Sequence, residues 1–138
     1  MRAMTRLARA VLVAVILAGC QVPPAVGPLP LGGLPDLVGS WDGSWSGVPV
    51  TLLITEQRDQ DVAGILTLGL ARGPVSTPVT GRLGTRAGRL ALVLLASSTV
   101  SHDQFDFATV QADRLEGHAR SFGPGGHQGV VTLRRRPA

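Results

Sequence analysis

Residues 39–47 read Gly39-Ser40-Trp41-Asp42-Gly43-Ser44-Trp45-Ser46-Gly47, and both tryptophans of the chain stand within this stretch. Read as one strand, it puts Trp41, Gly43 and Trp45 on one face and Asp42, Ser44 and Ser46 on the other, because side chains alternate along an extended backbone. The competing reading places a tight hairpin at Asp42-Gly43, a strong turn pair. It fails because too few residues precede Trp41 to build a partner strand. A single strand it is, and that choice sets the pattern for everything downstream.

Beyond it, runs rich in Val, Leu, Ile and Thr recur about every ten residues, divided by Gly, Pro, Asp and Ser. That spacing, with almost no helical periodicity, predicts an antiparallel sandwich or barrel. Eight runs are expected. The first is Gly39–Gly47. The second, Pro49–Arg58, puts Val50, Leu52 and Ile54 on one face and Thr51, Leu53 and Thr55 on the other. Arg58-Asp59-Gln60-Asp61 forms a polar turn before the third, Val62–Leu70. The fourth spans Pro78–Gly84, and Thr85-Arg86-Ala87-Gly88 turns the chain into the fifth, Arg89–Ala96. The fifth is apolar on both faces, yet its length and flanking turns favour strand over helix. The sixth, Ser101–Gln111, alternates Phe105 and Phe107 against Asp106. The seventh is Arg114–Phe122, and the eighth, Gln128–Arg136, follows a Gly-Pro-Gly-Gly turn.

Short connections between neighbours predict an up-and-down meander. An all-β sheet of this kind must pair its outer edges, and closure does so. The expectation is therefore a small antiparallel up-and-down β-barrel of about eight strands over residues 37–138, with a two-sheet β-sandwich as the alternative. Glycines inside strands, Gly64, Gly81 and Gly117, mark places where a small barrel bends or where backbones approach closely.

On these residues a resemblance can be named. The Gly-x-Trp opening strand, then Val50-Thr51-Leu52-Leu53-Ile54-Thr55, an acidic turn and Val62–Gly69 resemble the start of lipocalin-like and avidin-like eight-stranded barrels. The resemblance implies that Trp41 closes the barrel floor. Core packing is the first reading of Trp41, Trp45, Phe105 and Phe107. Ligand stacking at the barrel mouth is the second, with Trp45 ahead of Trp41.

Upstream the chain changes character. Residues 21–35 hold five prolines and three glycines, with neither helical nor strand periodicity. Such a stretch makes an extended, semi-stiff spacer. Before it, Arg2, Arg6 and Arg9 precede the apolar run 10–17, too short to span a bilayer, for which about 20 residues are needed. This is the order of a secretory signal segment. Leu17-Ala18-Gly19-Cys20 resembles the lipobox of bacterial lipoproteins. That implies a signal peptide over 1–19, removed just before Cys20, with diacylglycerol on the Cys20 thiol and a further acyl chain, such as palmitate, on the freed amino group. Residues 20–36 then form the lipidated cysteine and its linker. Gln21, not aspartate, follows the anchor, and the family's sorting rule points to the outer membrane, facing the periplasm or the cell surface.

Cys20 is the only cysteine, so the chain holds no disulfide within itself. Processing also changes the charge. Three of the thirteen arginines lie before Cys20 and all nine acids after it, leaving a balance of +1 with no lysine. That gives no electrostatic footprint for nucleic acid.

Catalytic chemistry finds no constellation. Gly43-Ser44-Trp45-Ser46-Gly47 has tryptophan where a nucleophile elbow needs serine. His102, His118 and His127 are not at zinc-ligand spacing. Asp103, Asp106, Asp113 and Glu116 fall in or near turns. Gly-Pro-Gly-Gly-His between strands offers no helix N-terminus for a phosphate. No metal or cofactor site is expected, and no enzyme. The functional expectation is a membrane-anchored extracytoplasmic lipoprotein with a non-catalytic barrel. It would bind a small apolar ligand or a protein partner; small lipoprotein barrels of similar outline include periplasmic inhibitors of secreted proteases. The alternative is a structural or assembly component of the cell envelope with a solid, ligand-free barrel. The discriminating quantity is interior volume: Trp41, Leu52, Leu92 and Phe105 all pointing inward would leave no cavity.

Overall fold

The computed structural model describes position 26 and residues 33–98, 102–123 and 126–137. Cys20, the signal segment and most of the linker lie outside the described residues. The eight strands are β1 Gly39–Trp45, β2 Val48–Arg58, β3 Asp61–Leu70, β4 Gly73–Arg86, β5 Arg89–Ser97, β6 His102–Val110, β7 Arg114–Ser121 and β8 Gln128–Arg135. Each pairs antiparallel with its sequence neighbours, and β1 pairs with β8 to close a barrel. The sandwich alternative is excluded by that last pairing.

The opening stretch is one strand, as its spacing requires. Trp41 and Trp45 are buried on the inner face, and a two-residue turn at Ser46-Gly47 joins Trp45 to Val48. Ser46 and Gly47 both take positive φ, 46° and 85°, as do Ala87 and Gly88 at the β4–β5 turn. Positive φ at both central residues is the geometry whose twist matches that of the flanking strands.

The barrel interior is filled. Trp41, Leu52, Ile54, Leu83, Leu92, Leu94, Phe107, Leu115 and Leu133 all have no exposure. Trp45 on β1 meets Phe105 on β6 across the interior, ring centroids 5.2 Å apart and edge-on, and Phe105 stacks toward Phe107 at 6.3 Å. An eight-stranded barrel is just wide enough for its own side chains to fill or for one small ligand, and here the side chains occupy that width.

Glycine makes this tight closure possible. Gly43, Gly64, Gly81 and Gly117 stand on the inner face of their strands, each two residues from buried inward side chains. A Cβ at any of them would stand 1.8–2.1 Å from a carbonyl oxygen of the adjacent strand. Only a residue without a side chain lets the backbones come this close. Bulges between Ile54 and Glu56 and between Phe107 and Thr109 add further bending.

The fourth strand departs from expectation. It begins at Gly73, not Pro78, and runs for 14 residues. Up to Leu70 and from Gly73, β3 and β4 pair with each other, whereas β4 pairs with β5 only from Val79 onward. The stretch from Gly73 to Pro78 therefore overhangs the barrel as a lip. Pro74 and Pro78 lie in this overhang, where one side of the strand has no ladder partner among the described residues and a missing N–H is tolerated.

Candidate functional site

The two ends of the barrel differ. At one end the chain enters through residues 33–38 and plugs the opening. Leu37 has no exposure, and its carbonyl accepts the Trp41 indole N–H at 3.0 Å. Gln57 at the end of β2 grips this segment twice. Its Oε1 accepts the Leu37 backbone N–H at 2.8 Å, and its Nε2 donates to the Pro35 carbonyl at 2.9 Å. Arg135 completes the floor. Its guanidinium lies 4.6 Å from the Trp41 ring and donates to the carbonyls of Ala112, Val38 and Asp36. Arg136 pairs with Asp42 at 2.8 Å. These two C-terminal arginines thus hold the floor rather than guard a free sheet edge, since β8 has no free edge.

The other end is a shallow mouth. Here Trp45, Val48, Leu68, Leu70, Asp103, Ser121 and His127 line a cleft of about 310 Å³. The strand alternation explains each inward side chain. Val48 continues the Val50-Leu52-Ile54 face, Leu68 and Leu70 continue that of Val62 and Leu66, and Asp103 precedes Phe105 and Phe107 by the same step of two. Asp103 and Ser121 stand opposite each other on β6 and β7. The exposed His127 lies edge-on to Trp45 with centroids 4.8 Å apart.

Two of these lining residues each carry a polar atom that is buried without a partner: Trp45 Nε1 and Asp103 Oδ1. An indole N–H is a donor only, and an ionised carboxylate is an acceptor only. Leaving either unpaired in a buried position costs about 1–3 kcal/mol, a cost that a visiting group completing the pairing would remove; the third such atom, Arg114 Nε, lies on β7 outside the cleft. The contrast with Trp41, whose indole is satisfied by Leu37, is direct.

Of the four aromatic residues with a possible ligand role, Trp45 alone lines the cleft. Phe105 lies beneath it, and Phe107 and Trp41 are enclosed in the core and floor. In the sequence Asp103 reads only as an acid near a turn, and Leu70 only as the end of the third strand. Asp103 looks like one more polar residue at a strand start, and its inward direction follows only by counting back from Phe105.

Two larger grooves lie on the outer wall. One, of about 510 Å³, crosses β2 to β5 around Val93 and Leu95 and is rimmed by Arg58, Asp61 and Arg82. The other, of about 710 Å³, lies over β6 to β8 around His118 and Arg120. Neither includes a buried, unpartnered polar atom. Among the described residues no group of three His, Cys, Asp or Glu side chains is arranged to hold a metal ion. No protein-family model matches the chain, and neither a curated protein nor a solved structure does.

Proposed function

We propose that this protein is a membrane-anchored extracytoplasmic lipoprotein whose barrel is a non-catalytic binding module working through its open end. The leader order and the lipobox-like residues 17–20 support the anchor at Cys20, and Gln21 supports the outer membrane as its location. The likeness to lipocalin- and avidin-like barrels rests on the up-and-down closure and on a Gly-x-Trp strand whose tryptophan seals the floor. The tether enters at that floor, so the mouth turns away from the membrane.

The observation that carries the reading is the orphaned indole of Trp45, 2% exposed, in a cleft at the end opposite the tether. Because the interior is filled, the ligand is a small one seated in the mouth, not one enclosed by the barrel. A second reading, a solid plug that docks on an envelope protein, draws on the same filled interior and on the exposed Leu70 at the end of β3 and Val75 of the lip, at 42% and 47%.

A photo-reactive residue in place of Val75 separates them in native membranes. Small-molecule adducts on the barrel are the expected result, and protein adducts favour the docking plug. Adducts at Leu53 on the outer wall, with none at Val75, contradict both.

A further inference from the structure

We infer that the mouth cleft takes a small amphipathic molecule with a neutral head, a hydroxyl or a carboxamide, on an aliphatic body. This deepens the ligand reading above and rests on it. The argument is one of pairing. Two residues that line the cleft each hold a buried polar atom without a partner, the donor Trp45 Nε1 and the acceptor Asp103 Oδ1. The cleft's remaining walls include the apolar side chains of Val48, Leu68 and Leu70.

Each kind of head group meets this pair differently. A carboxylate accepts from the indole but stands beside the like charge of Asp103. An ammonium satisfies Asp103 and leaves the indole N–H unpaired. An alkane leaves both unpaired, at a cost the free protein already bears. A hydroxyl or a carboxamide both donates and accepts, so a neutral head carries the complement of each atom without bringing a charge. Sites built to pair a polar group discriminate strongly against analogues that cannot complete the pairing. The volume, about 310 Å³, lies at the lower end of the roughly 300–1,000 Å³ usual for small-molecule sites. It fits a short or medium aliphatic body laid along β2 and β3.

The chain has two tryptophans, so the test is direct. The mature chain from position 20, carrying Cys20→Ala so that no attached lipid competes, gives two indole N–H signals in a nitrogen–proton correlation spectrum. Trp45→Phe assigns them, and the Trp41 signal, already bonded to Leu37, serves as internal reference. Octanamide, 1-octanol, octanoate and octylammonium are titrated in turn.

Octanamide and 1-octanol are expected to move the Trp45 signal downfield and to bind at least tenfold tighter than octanoate or octylammonium. Asp103→Ala is expected to abolish the discrimination against octanoate. Equal binding of all four probes overturns the head-group assignment while leaving the mouth as a binding site. A Trp45 signal that none of the probes moves also overturns it, and adducts at position 75 then decide the broader reading separately.

Discussion

The Arg135 guanidinium lies 4.6 Å from the centroid of the Trp41 ring while it donates to the carbonyls of Ala112, Val38 and Asp36. One side chain from the last strand thereby ties together the first strand, the entering segment and the β6–β7 connection. A planar fork that stacks and donates in several directions is a property of arginine that lysine does not share. Arg135→Ala is expected to destabilise the barrel by about 2 kcal/mol, combining the lost cation–π contact with lost hydrogen bonds. Arg135→Lys is expected to recover less than half of that. Urea denaturation followed by tryptophan emission reads both.

The inward glycines give a sharper test of how the barrel closes. At Gly117 an added Cβ would stand 1.9 Å from the Asp106 carbonyl oxygen and 2.7 Å from the Phe107 Cα. Neither is the flexible end of a side chain, so a strand must move. Gly117→Ala is expected to cost about 3 kcal/mol, the upper range of overpacking, and to lower the melting temperature by roughly 10–20 °C. Gly33→Ala, where nothing lies within 4 Å, is expected to leave the melting temperature unchanged. Equal effects of the two would remove close approach as the reason for Gly117.

Gln57 makes the junction between tether and barrel measurable. Its amide accepts from the Leu37 N–H and donates to the Pro35 carbonyl, and no other residue of β2 reaches that segment by a hydrogen bond among those described. Gln57→Ala is expected to cost about 1–2 kcal/mol. Amide exchange at Leu37 should quicken by at least tenfold, while protection at Leu92 in the core falls only as far as global stability does. Unchanged protection at Leu37 would mean that burial of its side chain alone holds the floor.

Much of the barrel was legible from pattern. The step of two from Trp41 to Trp45, and from Val50 to Ile54, reports the inner face because a strand with one wet side must alternate. The glycines at 64, 81 and 117 were legible as points of close approach for the same reason. The first half of β4 was not legible. Pro74 and Pro78 read as loop residues, and they are tolerated only because the strand there overhangs its neighbour β5, a fact of register that no local pattern carries. Within β5, outward-facing Ala91 and Val93 are buried as well. The Arg86–Asp106 ion pair at 2.7 Å joins β4 to β6 across this strand, and ladders to β4 and β6 on its two sides hold the apolar run as a strand.

The candidate site was half legible. Trp45 stood out by residue type, whereas the difference between it and Trp41 depends on which end of the barrel the chain enters. Asp103 gained meaning only when β6 and β7 placed it across from Ser121 on the inner face of the mouth. Polar residues near strand ends are common, and a single sequence does not mark the one that points inward without a partner.

On the proposed reading, a membrane anchor at Cys20 is what turns a packed barrel with an open mouth into an extracytoplasmic binding module. Intact mass spectrometry of the protein extracted from native membranes tests it most directly. The account predicts a chain that begins at Cys20, heavier than its polypeptide by a diacylglycerol group and a further acyl chain, and that Cys20→Ala no longer sediments with the membranes. A species that retains residues 1–19 and carries an unmodified Cys20 thiol would contradict it.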